Sequence, residues 1–209
     1  MLYRDDEEYI TLFGIITYDV FSESKVVRNN KGEIIEWLTT KESDITDEDI
    51  FEILSDNSEF ATNNKLTDDE IKAIINDKTR RGYCVSYISA IRKGDLQENI
   101  TFREYEETIL KARKNLIDVK TIDNIKIIDI RNHIAERIIG DGKGRLPITI
   151  DNIIQCLQSS ETKVKYDTDA KQVKYTLKKV GKIAINYDEN GGTIVTVISK
   201  EKGNNDKNW

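Results

Sequence analysis

Lys171-Gln172-Val173-Lys174-Tyr175-Thr176-Leu177-Lys178 alternates without a break. On an extended chain, Val173, Tyr175 and Leu177 fall on one side, and Gln172, Lys174, Thr176 and Lys178 on the other. The same period of two runs through Lys163–Tyr166, Lys182–Tyr187 and Thr193–Ile198. In the last of these a strict alternation sets Val195 and Val197 against Ile194, Thr196 and Ile198. Turn residues separate the runs at Asp167-Thr168-Asp169, Lys179-Val180-Gly181 and Asp188-Glu189-Asn190-Gly191-Gly192. Half-buried strands joined by short turns predict a four-stranded antiparallel meander.

Before the meander the period lengthens. Asn132–Ile139 predicts a helix, and Thr149 caps a second from Asp151 to Gln158, with Ile150, Ile153, Ile154 and Leu157 on its buried side. Ile125–Ile130 reads as a short strand or a helix lead-in. Two helices packed on a four-stranded meander make an α+β layer over residues 121–200.

The upstream half reads as a separate, mixed α/β module over residues 1–120. Residues 9–20 predict one strand, and 25–38 a hairpin around Asn29-Asn30-Lys31-Gly32, whose residues tolerate the positive φ of a tight turn. Helices start at Thr46, Thr67 and Thr101. Each threonine is followed three residues later by an acid (Asp49, Glu70, Glu104), the capping-box spacing that satisfies the free N–H groups of a first turn. Arg80–Ile88, rich in Tyr, Val and Ile, predicts a further strand in the same core. The segment 201–209 is a polar, loose tail.

Composition narrows the function. Among 209 residues, 38% are hydrophobic and 33% charged, and no apolar run approaches the ~18–20 residues of a membrane span. The acidic start Met1–Glu8 is unlike a signal peptide. Two distant cysteines, Cys84 and Cys156, exclude a disulfide framework, and the expected location is cytoplasmic. One histidine leaves no His/Cys zinc set, and the acid clusters sit at helix starts, where they answer the helix dipole; no metal and no cofactor are expected. Residues 1–120 carry 17 Lys and Arg against 26 Asp and Glu, a net of −9. Residues 121–209 carry 15 against 12, a net of +3. A basic C-terminal part suits a polyanion, and an acidic N-terminal part suits a basic partner or competes for the same surface.

His133 is the one side chain with an ordinary pKa near neutrality, and Arg137 shares its helix face four residues on. A proton carrier beside a fixed cation suits phosphate chemistry, although the same pair also serves as an ordinary surface or capping pair. Lys174, Thr176, Lys178 and Thr196 line the sheet face opposite the apolar one, as phosphate contacts or as a solvated lysine face. The loop Gly140–Arg145 offers Lys143 and Arg145 without the spacing of a phosphate-binding P-loop.

The order of these features resembles the small ribonuclease toxins of the barnase–EndoU–colicin–RelE superfamily over residues 125–199. The matching segments are the His133-Ile134-Ala135-Glu136-Arg137 helix, the capped helix Ile148–Leu157 and the final strand Thr193–Ile198. The resemblance implies a metal-independent ribonuclease using the ribose 2′-hydroxyl as nucleophile. In it His133 is the acid or base, Arg137 and Lys174 stabilise the phosphorane, and Thr196 orients the phosphate or ribose. Lys143, Arg145, Thr176, Lys178 and Lys182 would hold RNA, and a cognate inhibitor would be the protein partner. The competing expectation is a non-catalytic RNA-binding or phage accessory protein, or an inhibitor, whose acidic half binds a partner.

Overall fold

The computed structural model describes the strand backbone of residues 3–5, 8–10, 15–19, 24–28 and 34–38, and describes residues 45–55, 66–97, 99–140 and 146–200 with their side chains. The chain is α+β and divides into two compact units, Met1–Thr46 and Asp47–Trp209.

The first unit is an antiparallel sheet in sequence order: β1 (Tyr3–Asp5), β2 (Glu8–Ile10), β3 (Ile15–Asp19), β4 (Ser24–Arg28) and β5 (Ile34–Leu38). The hairpin expected over 25–38 is the β4–β5 pair, with Val26 opposite Trp37. The single strand expected over 9–20 is instead two strands, β2 and β3, paired antiparallel with Tyr9 opposite Ile16. An unbroken run of Ile, Thr, Tyr and Phe hides a reversal that composition alone does not mark.

The second unit begins with four helices: α1 (Asp47–Ser55), α2 (Asp68–Asn76), α3 (Lys78–Arg92) and α4 (Phe102–Leu116). The expected capping boxes close at Thr67/Glu70 and Thr101/Glu104, where each threonine Oγ1 accepts from the glutamate N–H and each glutamate accepts from the threonine N–H. The strand expected over Arg80–Ile88 is the body of α3. Asp77 caps this helix by accepting from the N–H groups of Thr79 and Arg80. Tyr83, Cys84, Val85, Ser86, Tyr87, Ile88 and Ala90 are all buried, so the helix is apolar around most of its circumference. That burial erases the 3.6-residue signal and leaves a run that reads as a core strand.

Then follow β6 (Ile127–Ile130), α5 (Ile134–Ile139), α6 (Ile150–Gln158), β7 (Lys163–Asp167), β8 (Gln172–Leu177), β9 (Gly181–Tyr187) and β10 (Gly192–Ser199). The expected meander is β7 to β10, antiparallel throughout. A fifth strand, β6, adds parallel to β10, giving the order β6-β10-β9-β8-β7. Its outer edge is closed in two ways. The Ile127 N–H donates to Val119 O at 2.8 Å, and the Arg113 guanidinium spans Asp129 at 2.8 Å and Ile130 O at 3.0 Å. A covered edge cannot recruit a foreign strand.

Ala112 and Leu116 of α4 share one core with Ile134 of α5, Ile153 and Leu157 of α6, and the inward residues Val173, Tyr175, Ile183, Ile185, Ile194 and Val197. A division near residue 120 is therefore not where the packing separates. The helices from Asp47 onward belong with the C-terminal sheet, and residues 1–46 stand as the other unit, without a helix among their described residues.

Candidate functional site

Two bulges set which residues of the last strands face in. In β10, Ile194 pairs with Ile185 and Thr196 with Ala184, which leaves Val195 as an extra residue. In β6, Ile127 pairs with Gly192 and Asp129 with Thr193, which leaves Ile128 extra. A bulge shifts the side-chain phase by one. Ile194 and Val197, three apart, are both buried in consequence, and the strict alternation expected for Thr193–Ile198 fails at Val195.

The helix expected over Asn132–Ile139 starts only at Ile134, so His133 is its N-cap residue, in a turn held against this bulge. The Arg131 N–H donates to Ile194 O at 3.1 Å, continuing the β6–β10 pairing. Asn132 donates its side-chain amide to Ser86 Oγ of α3 at 3.2 Å, and Tyr105 of α4 donates its hydroxyl to Asn132 O at 3.3 Å. The His133 ring lies near the backbone of Val195. Burial, followed by the charges of Arg137 and Arg131, pushes its imidazole down to about 4, against the opposing pull of Asp95 and the Val195 backbone. His133 is thus neutral at physiological pH, half-buried and flanked by two arginines.

The other expected residues lie elsewhere on the sheet. Directly opposed pairs share a face, so the register gives two rows across the side away from the helices, on which Lys163, Lys165 and Lys174 are exposed, Thr176, Lys182 and Thr196 half-buried and Ala184 buried. One row is Lys165, Lys174, Ala184 and Thr196; the next is Lys163, Thr176, Lys182 and Ile198. These rows hold four lysines and no carboxylate. Lys178 follows β8 at the same end. This face is opposite the one that packs Val173 and Tyr175 on the helices. His133 with Arg137 and Lys174 with Thr176, Lys178 and Lys182 therefore form two groups. They do not make one cleft: the helix of the first contributes Ile134 to the core, while Lys174 is exposed on the far face, two strands from β10. Thr196, just after the bulge, belongs to the second group by register. Lys143 and Arg145 lie outside the described residues. Lys163 and Lys165 escaped notice at the sequence level, although their alternation with Val164 and Tyr166 places them beside Lys174 once the strands pair.

Comparison with protein-family models, with curated proteins and with solved structures gives no match to this chain.

A second polar cluster is structural. Asp123, in the turn before β6, accepts from Thr121 Oγ1 at 2.5 Å, from Tyr175 Oη at 2.7 Å and from the Tyr166 hydroxyl. Burial works to raise its carboxyl pKa, and the hydroxyl donors outweigh it, holding the group below the usual carboxylate value. The cluster ties the 118–126 segment to β7 and β8, and nothing on the sequence marks it. Removing the carboxylate strands buried hydroxyls, so Asp123→Ala is expected to lower stability by about 1–3 kcal/mol, read from the urea midpoint, with Asp123→Asn recovering part of the loss. Among the described residues, no group of three or more His, Cys, Asp and Glu side chains is placed to hold a metal ion, and no helix is long and apolar enough to cross a membrane.

Proposed function

We propose that the second unit binds RNA through the lysine-bearing face of the β7–β10 sheet. The observation that supports this is the paired rows containing Lys163, Lys165, Lys174 and Lys182, with Thr176 between Lys163 and Lys182, Thr196 at the end of its row and no acid among them. Within the described residues, Lys163, Lys165 and Lys174 are in no ion pair, so their charges face solvent without neutralisation. Clustered ammonium groups on a rigid sheet displace the counterions of a phosphate backbone, and that release drives association. The test is a salt titration of the full chain against RNA. Binding should weaken linearly in log–log form, with a slope of about −3 to −4 for four phosphates neutralised. A flat salt response would contradict the proposal.

A second reading, cleavage of that RNA, is favoured by one feature: a neutral imidazole within the electrostatic reach of Arg131 and Arg137 beside the β10 bulge. In that reading His133 takes the ribose 2′-hydroxyl proton as the oxygen attacks phosphorus, Arg137 balances the charge on the phosphorane, and the P–O5′ bond breaks with the 5′-oxygen leaving as a hydroxyl protonated by water. The products would end in a 2′,3′-cyclic phosphate or the 3′-phosphate, form in EDTA, and fall by about 10²–10⁴-fold in His133→Ala. Binding with no such products would leave the sheet face as the whole function. The other partner expected from sequence, a cognate inhibitor, belongs with this cleavage reading.

A further inference from the structure

Resting on the RNA-binding reading, we infer that the sheet face takes duplex RNA by its phosphates, without reading bases. The outward residues of β7 to β10 are Lys163, Lys165, Asp167, Gln172, Lys174, Thr176, Lys182, Ala184, Asn186, Thr193, Thr196 and Ile198; none is aromatic and none is arginine. The aromatic rings of this sheet point elsewhere: Tyr175 is buried in the core, and Tyr166 is engaged by Asp123 and by the edge of Tyr187.

Single-strand binders gain about 1–3 kcal/mol per base by stacking on aromatic side chains, and the described residues of this face include no ring to supply it. Sequence is read by planar or bidentate groups at base edges, and lysines on a flat face supply point charges instead. What remains is charge density, which is higher on a duplex than on a single strand. Each neutralised phosphate contributes about 0.9 to the log–log salt slope on a duplex and about 0.7 on a single strand.

The sheet also orients the ligand. A meander sends its first and last turns to one end and the middle turn to the other. Asp167, Asp169, Asp188 and Glu189 outnumber the single Lys171 at the first end and leave it net negative, while Lys178 and Lys179 occupy the second, beside the row of Lys163 and Lys182. A polyanion is repelled from the acidic end, so the duplex backbone crosses the strands over the two lysine rows instead of running along them.

The test is fluorescence anisotropy of the full chain, in EDTA, with a short duplex RNA, with single-stranded oligo-U, oligo-A and oligo-C of equal length, and with poly-glutamate. For four neutralised phosphates the duplex should bind roughly sixfold tighter than the single strands at about 0.1 M salt, and the single strands should agree with one another within about threefold. Tighter binding of a single strand, a wide spread among the homopolymers, or poly-glutamate binding as tight as the duplex would overturn the inference while leaving an anion-binding face. Failure of every RNA to bind would overturn the RNA-binding reading as well.

Discussion

Replacing Lys163, Lys165, Lys174 and Lys182 together by glutamine should lower RNA affinity by about 10³-fold near 0.1 M salt and flatten the salt slope by about 3 to 4. The four side chains occupy two adjacent rows of one rigid sheet, so they meet a phosphate backbone as a group. All sit on the side away from the core; Lys163, Lys165 and Lys174 are exposed and Lys182 half-buried, and exposed substitutions of this kind change stability by at most about 0.5 kcal/mol each. The urea midpoint should therefore stay close to that of the parent protein while binding is lost. Loss of the fold in the quadruple variant would be separated by testing Lys163→Gln/Lys165→Gln alone, on the edge strand β7, which should remove about half of the slope. Retention of full affinity by the quadruple variant would place the ligand on another surface.

The second large effect is on acid stability. Burial first, then Arg137 and Arg131, lowers the His133 pKa to about 4 in the folded protein, against 6.5 for the unperturbed group. Between those values the unfolded chain holds the extra proton, so stability rises with pH through that window. The contribution is complete above pH 6.5 and is lost as pH falls to 4, a change of up to about 3 kcal/mol. The physical event is the forced charging of a half-buried ring beside two guanidiniums and the β10 bulge. His133→Asn, which keeps a hydrogen-bonding group but does not titrate, should be nearly flat over the part of the pH profile that this histidine controls. Urea midpoints at several pH values between 7 and 4 measure it, and equal slopes in the two proteins would contradict the assigned environment. The same numbers bear on cleavage: a base poised at about 4 should give a rate that rises on the acidic side and levels off well before neutrality.

Much of the architecture was legible because local rules and tertiary packing agree. The Thr67/Glu70 and Thr101/Glu104 boxes announce their helices, and the alternation in Gln172–Leu177 survives intact as buried Val173, Tyr175 and Leu177. It failed where tertiary structure overrides a period. Helix α3 is surrounded, so Val85, Ser86, Tyr87 and Ile88 are buried in succession and mimic a strand; the informative sign was Asp77 placed to cap a long segment. The bulges at Val195 and Ile128 add one residue each, which no alternation rule foresees. The candidate site was half legible for the same reason. Which residues are lysines on outward positions follows from alternation, but that Lys163 and Lys165 join Lys174 follows only from the pairing of β7 with β8. The separation of His133 from Lys174 depends on the sheet having two faces with helices on one, which residue spacing does not encode.

The most direct measurement is lysine footprinting of the full chain by acylation and mass spectrometry, with and without duplex RNA. Lys163, Lys165, Lys174 and Lys182 should be protected together, while the exposed helical lysines Lys72, Lys78 and Lys111 react at unchanged rates. Protection of the helical lysines with the sheet lysines unprotected would contradict a phosphate-binding role for this face.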